Sequence, residues 1–341
     1  MKITFICTNY NSIKCGIGMF THNLKSELQR YNDVEIDLIN RNTFHLKGLK
    51  KITSLEMTCE ILNYIKNNKY QKNEKIDFII EYPFMDWNPT TLLALIYLKK
   101  SFRNSKIILS IHEYYRVNFF RRKAVDFLIS IADGYIITDS NLYEKIDGEK
   151  MLRSIPSNIL KEKNIEEIKR DSKNYCYFGL INKSKAFDEM IEAWKIFNKD
   201  KIYNLNVYTA SEIDIENLEK YNIKVIKGLN NRELSIELQK NSFMILPIIP
   251  NIDSNNGTLK AAVEHGCIPI GIFSNNMESL GVNISSKSYS IENIKEALEN
   301  SLILNKKEEN LKLENYSERF SFQKNARDIY NFLKVKKWRM L

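Results

Sequence analysis

The chain has 341 residues, 43% of them hydrophobic and 11% aromatic, enough apolar material for two cores of ordinary domain size rather than one. Its net charge of +9, greater in the first 160 residues, is dispersed and tied to no recognition motif, which argues against a nucleic-acid partner. No run nears the roughly 20 apolar residues of a bilayer span, and Met1–Cys7 is too short and too soon polar for a signal peptide, so a cytoplasmic location is expected.

Short β-branched runs alternate with amphipathic segments. Ile3–Cys7, Val34–Ile39, Asp77–Tyr82, Lys106–His112 and Gly134–Thr138 read as parallel strands buried on both faces. Between them Ile17, Phe20, Leu24 and Leu28 repeat at helical spacing, as do Phe119, Val125, Leu128 and Ile129 less regularly. The rhythm breaks near Ile155-Pro156-Ser157-Asn158, and a charged stretch from Lys161 to Lys173 follows. A second alternation then predicts strands over Tyr175–Gly179, Leu205–Thr209, Lys224–Ile226, Phe243–Leu246 and Pro269–Phe273. Its helices fall over Phe187–Phe197, Arg232–Gln239 and Thr258–His265. The tail from Tyr316 to Leu341 reads as helical, on Phe320, Ala326, Ile329, Tyr330 and Phe332. This is an α/β chain of two Rossmann-like domains, residues 1–160 and 161–315, with a C-terminal helix over 316–341. A cleft between the two domains is the expected ligand site.

Three segments carry chemistry. Cys15-Gly16-Ile17-Gly18 lies between the first strand and the first helix, where backbone amides can approach a phosphate. Position 21 is Thr rather than the third glycine of a dinucleotide fingerprint, and the second strand ends without an acid, so a dehydrogenase is disfavoured. The glycine pair is also compatible with a tight turn needed only for packing. Next, Phe178–Phe187 places Lys185 just before a helix, where a cation can neutralise a departing diphosphate or simply be solvated. Last, Ile245-Leu246-Pro247, a polar loop over Asn251–Asn256, and Gly257-Thr258-Leu259-Lys260-Ala261-Ala262-Val263-Glu264-His265-Gly266 present free amides at a helix start. Glu264, two turns along, is an acceptor-only group suited to ribose hydroxyls, and Gly266 is placed to cap the helix. The five scattered cysteines read as reduced thiols, and the four histidines have no metal-ligand spacing, so no metal site is expected.

These segments, in this order, resemble the retaining GT-B glycosyltransferases that build bacterial polysaccharides and glycolipids (glycosyl transferases group 1, family 4). Cys15–Leu24 matches their GG-x-G-x-[YF]-x-x-x-L stretch, Ile155–Ile159 their I-P-N-G-[IV], Gly179 and Lys185-Ala186 their G-R-x-x-x-x-K-G, and Gly228 to Ser235 their G-x-x-x-x-x-x-L. Asn256 to Glu264 matches their Glu, seven residues, Glu motif. The resemblance implies a GT-B fold with its C-terminal helix crossing back to the first domain. It also implies a nucleoside diphosphate sugar as co-substrate without cofactor or metal, a glycan or lipid-linked acceptor, and closure of the two domains on the substrates. In these terms Lys185, Gly257 and Thr258 face the diphosphate, Gly16 and Gly18 approach it from the first domain, Asn256 faces the sugar and Glu264 the ribose. His112 lies by the donor sugar and the acceptor, with Glu113 a further candidate by adjacency. The alternative for His112 is a strand-end histidine bonded to backbone.

Two departures matter. The family's phosphate-binding arginine falls on Leu180 and the first glutamate of its seven-residue motif on Asn256. They favour a rival reading, a non-catalytic GT-B-like partner subunit of another transferase, which the retained Lys185, Gly257, Thr258 and Glu264 oppose. Phe119–Lys123, Lys47–Lys51 and Lys334–Arg339 mix cations with apolar residues, as an anionic membrane face would require; a plain solvated surface is the competing reading and is preferred.

Overall fold

A computed structural model describes the chain except residues 13, 14, 44, 69, 71, 72, 83–87, 116, 163–167, 169, 214, 254, 275–283 and 335–341, and the side chains of 51, 52, 306, 307 and 309. Parts of four expected features fall outside it: residues 163–167 and 169 of the charged stretch, residue 254 of the polar loop, the side chain of Lys51, and the tail beyond Lys334. The rest divides into two compact units. Unit 1 is Met1–Ser154 with the segment from Phe322, and unit 2 is Ile155–Ser321.

Unit 1 is a six-stranded parallel sheet of β1 (Lys2–Thr8), β2 (Glu35–Arg41), β3 (Ile76–Tyr82), β4 (Lys106–Ile111), β5 (Gly134–Ile137) and β6 (Lys150–Leu152), in the order β2-β1-β3-β4-β5-β6. Phe5 sits opposite Leu38 on one side and Ile79 on the other. All seven residues of β3 are buried, as a central parallel strand requires. Around the sheet lie α1 (Gly16–Leu28), α2 (Leu49–Thr53), α3 (Glu56–Asn67), α4 (Pro89–Ser101), α5 (Phe119–Ile131) and α6 (Ser140–Lys145). Phe78 and Phe102 pack at 5.5 Å in the core beneath α3 and α4.

Unit 2 repeats the plan with β7 (Asp171–Phe178), α7 (Phe187–Phe197), β8 (Asn204–Tyr208), β9 (Ile223–Ile226), α8 (Asn231–Gln239), β10 (Asn241–Leu246), α9 (Gly257–Glu264), β11 (Ile268–Gly271), β12 (Ile284–Ser285), α10 (Ile291–Asn300) and α11 (Lys306–Arg319). Strand order is β12-β11-β10-β7-β8-β9, again parallel. Tyr175 stacks on Phe243 at 4.7 Å and meets the edge of fully buried Trp194, whose indole N–H donates to the Tyr221 carbonyl. β7 begins four residues before the apolar pattern does. Its first residues are exposed and polar, and ladder hydrogen bonds need no apolar side chain.

The tail is not one helix. α11 ends at Arg319, and α12 (Phe322–Lys334) starts afresh after Ser321. Phe320 packs on Tyr316 at 4.2 Å in unit 2, whereas Phe322 packs on Phe20 at 5.4 Å in unit 1, so the chain must turn between two anchors. α12 buries Phe322, Ala326, Ile329 and Leu333 along one face against α1, and Tyr330 stacks on Tyr31 at 4.2 Å.

Gly18 shows why α1 opens as it does. A Cβ there would lie 1.8 Å from the Asn9 carbonyl oxygen, and the Gly18 carbonyl in turn accepts from the Asn11 N–H. The helix can seat against the β1 loop only without a side chain at 18. A Cβ at Gly257 meets nothing within 4 Å. We therefore expect Gly18→Ala to destabilise the protein by about 1–3 kcal/mol or more, and Gly257→Ala to stay within about 0.5 kcal/mol, both read from urea unfolding midpoints.

Candidate functional site

In an open parallel sheet, ligands gather beyond the carboxyl ends of the strands, at the point where strand order reverses. In unit 2 that point lies between β7 and β10, and the loops leaving these two strands carry Lys185 and Gly257-Thr258. They are tied together: the Ala186 N–H donates to the Pro247 carbonyl at 2.8 Å and the Ile249 N–H to the Ser184 carbonyl at 2.9 Å. Gly179, at the end of β7, sits beside the start of α9, since a Cβ on it would lie 3.8 Å from Thr258 Oγ1.

Lys185 is half-buried, and its ammonium has no hydrogen bond or ion pair among the described residues. Burial pulls its pKa below the ordinary lysine value. The N–H groups of Gly257 and Thr258 open α9 and likewise have no partner among the described residues. An isolated cation and two free helix-start amides on adjoining loops suit an anionic group such as a phosphate.

Asn256 is the N-cap of α9: its side-chain carbonyl accepts from the Leu259 N–H at 3.0 Å, leaving its amide NH₂ and one carbonyl lone pair to offer a ligand. Glu264 ends the same helix, about 10 Å along its axis from Gly257. Its Oε2 accepts from the Ser317 hydroxyl of α11 at 2.8 Å. Beyond it, the Gly266 N–H bonds the Val263 carbonyl and the Cys267 N–H the Ala262 carbonyl, the paired closure that a residue at φ +70° allows. The Arg170 guanidinium then donates to the carbonyls of Gly266 and His265, both at 2.6 Å, placing a cation at the negative end of α9.

Gly16 and Gly18 lie at the corresponding reversal of unit 1, between β1 and β3, where α1 begins. The Gly18 N–H donates to Cys15 Sγ at 3.4 Å, so packing and capping account for this glycine. His112 follows β4 and is buried. Its Nε2 lies 2.6 Å from Glu81 Oε2 and 3.2 Å from Arg153 Nη2, while Phe20 meets its ring edge-on at 5.1 Å. Glu113 is exposed and has no partner among the described residues; the carboxylate joined to His112 is Glu81.

Three residues of these surroundings escaped the sequence reading. Glu81 was legible as a lone carboxylate in the run Ile79-Ile80-Glu81-Tyr82, where a strand buried on both faces must partner any charge. Arg153, 3% exposed at the end of β6, had no such signal. Lys260 looks like a solvated helix lysine, yet it lies within five consecutive buried residues, Leu259 to Val263. Its Nζ donates to the Tyr316 hydroxyl at 2.8 Å and lies 3.5 Å from the Phe320 ring centroid.

No protein-family model matches the sequence. It is 26% identical over 103 residues to an uncharacterized 41.2 kDa protein in the cps region of Klebsiella pneumoniae; the match spans 30% of this chain and only 27% of that relative. Among solved structures, a UDP-N-acetylglucosamine 2-epimerase superposes with a TM-score of 0.64 over 99% of this chain and 98% of its own, at 13% identity. A glycosyltransferase from Rickettsia africae ESF-5 gives 0.64 over 98% and 99%, at 11% identity. An alpha-glucosyltransferase in complex with UDP-glucose and DNA containing an abasic site gives 0.60 over 97% and 99%, at 12% identity. The chain has the GT-B fold. At such identities the likeness extends to the architecture and not to the reaction, because one architecture supports several chemistries.

Burial pushes the Lys260 amine down to about 7, with Asp253 acting against it. Between that value and the ordinary lysine pKa the unfolded chain binds more protons than the folded one, so this group's contribution to stability rises with pH across the window and is lost as pH falls through 7. We expect Lys260→Met to raise the unfolding free energy most at pH 6–7, by about a few kcal/mol, with the gain shrinking towards pH 10. Paired denaturation curves at pH 6.5 and 9.5 measure it.

Proposed function

We propose that this chain is a glycosyltransferase that takes a sugar from a nucleoside diphosphate sugar held by unit 2. One observation carries the reading: at the strand-order reversal, half-buried Lys185 and the helix-start amides of Gly257 and Thr258 sit on adjoining, mutually bonded loops, none of them with a partner among the described residues. In that role Lys185 and the start of α9 oppose the charge that grows on the departing diphosphate. Glu264 keeps one carboxylate oxygen for the ribose while Ser317 steadies the other. The Asn256 amide faces the sugar, and unit 1, with His112, serves the acceptor. UDP is the nucleotide to try first, since one structurally similar protein is in complex with UDP-glucose. Transfer with retention of configuration, a hexose as the moved sugar, and a glycan or lipid-linked acceptor in surface polysaccharide synthesis complete the proposal.

No described helix is long and apolar enough to cross a membrane. Phe119 and Phe120 are 65% and 62% exposed next to Arg121, Arg122 and Lys123, which supports peripheral contact with an anionic membrane from the cytoplasmic side. The second reading, a non-catalytic subunit that binds nucleotide sugar, draws on Leu180, 60% exposed where the family resemblance implies a phosphate-binding arginine.

Calorimetry of the protein with UDP, GDP, ADP and their common sugars tests the donor site. We expect one nucleotide to bind at or below about 100 μM, and Lys185→Ala to weaken it about tenfold or more, the usual worth of a charge-assisted hydrogen bond. Glu264→Ala should weaken the ribonucleotide similarly. Absence of binding by any of them overturns the proposal. Product analysis of the bound nucleotide sugar then separates transfer from epimerisation and from binding without turnover.

A further inference from the structure

Ile248 is the residue through which the two loops of the unit 2 site meet. It forms an isolated antiparallel bridge with Lys185, flanked by the Ala186–Pro247 and Ile249–Ser184 backbone bonds. In a pair flanked in this way the two residues stand closest, and each turns its own N–H and C=O away from the other. A single side chain takes the outward edge of Ile248. The Ile248 N–H donates to Tyr289 Oη at 3.1 Å, and the Ile248 carbonyl accepts from the same hydroxyl at 2.8 Å. The Ile272 N–H also donates to Tyr289 Oη, at 3.3 Å, while the Ile272 carbonyl accepts from the Ile252 N–H at 2.7 Å. A phenol offers one proton and two lone pairs, so this hydroxyl is fully committed to backbone. The Leu246 carbonyl, at 3.3 Å, is the more distant of its two acceptors. Burial raises the Tyr289 pKa against the pull of the backbone bonds at Ile272 and Ile248, which keeps the proton in place. The ring itself stands on a capped helix start. Tyr289 directly precedes Ser290, the N-cap of α10, whose hydroxyl accepts from the Asn293 N–H at 3.3 Å, and Asn293 Nδ2 donates to Ser288 Oγ at 2.7 Å.

We propose that Tyr289 is a positioning residue of the donor site: by holding the outward edge of Ile248 it fixes the strand pair that sets where the Lys185 ammonium stands before a diphosphate. Lys185 has no partner of its own among the described residues, so its place is set by its backbone, and that backbone is bonded to the Ile248 segment on both sides. Without the hydroxyl, the N–H groups of Ile248 and Ile272 lose an acceptor and the Ile248 carbonyl loses a donor. Ile248 is buried, so the segment must shift to satisfy them, and the Lys185 loop shifts with it. Through Ile272 the same hydroxyl reaches Ile252, on the loop that leads to Asn256 and the start of α9. Tyr289 acts through Ile248 and needs no contact with the ligand. The diphosphate rests on the glycosyltransferase reading; the hold on Lys185 does not.

The test has three arms. In the unaltered protein the Ile272 amide should exchange with solvent at least about tenfold more slowly than in the unfolded chain. Exchange at the unfolded rate overturns the proposal, and this arm needs no variant to fold. The second arm needs no ligand. Tyr289→Phe keeps the ring and removes the hydroxyl. In protein labelled with ¹³Cε-lysine, with the Lys185 signal assigned by Lys185→Arg, its titration midpoint should lie below the ordinary lysine value and move up towards it in Tyr289→Phe, as the loosened loop lets the ammonium out to water. An unchanged midpoint overturns the proposal. The third arm is a double-mutant cycle by calorimetry with the nucleotide that binds. Tyr289→Phe should weaken it about three- to tenfold, part of what Lys185→Ala costs, and Tyr289→Phe added to Lys185→Ala should change the Kd less than about twofold. A loss below about twofold in Tyr289→Phe alone, or the full loss repeated in the absence of Lys185, overturns the positioning of Lys185 while the donor-site reading still stands. Failure of every nucleotide to bind removes the function reading and leaves the hold on Lys185 to the first two arms.

Discussion

A parallel strand buried on both faces can hand its chain on only at its carboxyl end, and where strand order reverses two such hand-overs diverge. Each sheet of this protein has one reversal, between β1 and β3 in unit 1 and between β7 and β10 in unit 2. A helix that starts there begins with amides that no preceding turn can satisfy. The Gly257 and Thr258 amides, without a partner among the described residues, and the glycine-opened α1 are consequences of that single constraint. So is Arg170, which serves the other end of α9, where carbonyls rather than amides are left over.

The two units treat buried charge differently. Unit 1 collects a carboxylate, a guanidinium and an imidazole into one cluster behind β3, β4 and β6, where each is partly answered by the others. Glu81 Oε1 and Arg153 Nε and Nη1 still have no partner among the described residues, so the cluster is costly to maintain. A charge removed from it would leave its neighbours uncompensated. Unit 2 instead buries Lys260 against two ring faces and one hydroxyl. Burial lowers its pKa while the rings favour the ammonium, and the lysine joins α9 to α11.

Structures with different reactions share this architecture at 11–13% identity, among them an epimerase and two transferases. What separates them must lie in side chains at the strand ends. Here those are Leu180, which is exposed, Asn256, whose side-chain carbonyl caps α9, and Glu81, paired to His112. Each changes what the site can hold without disturbing the sheets beneath it.

The sequence by itself determined the elements whose signals are local. Strand runs, helix periods, the α9 start at Gly257 and its Gly266 stop follow from side-chain patterning and backbone preference over a few residues. It also marked Lys185 and Glu264, because their places relative to a strand end and a helix start are set by short-range spacing. Tertiary structure alone decided the partnerships: Glu81 rather than Glu113 beside His112, Arg153 brought from 41 residues away, Lys260 turned into a core, and Gly18 fixed by contact with Asn9. It also broke the tail at Ser321, where no glycine or proline announces an end, because Phe320 and Phe322 are anchored in different units. Local patterning fixes which face of an element is apolar. Which charge meets which is decided only when strands distant in sequence are brought side by side.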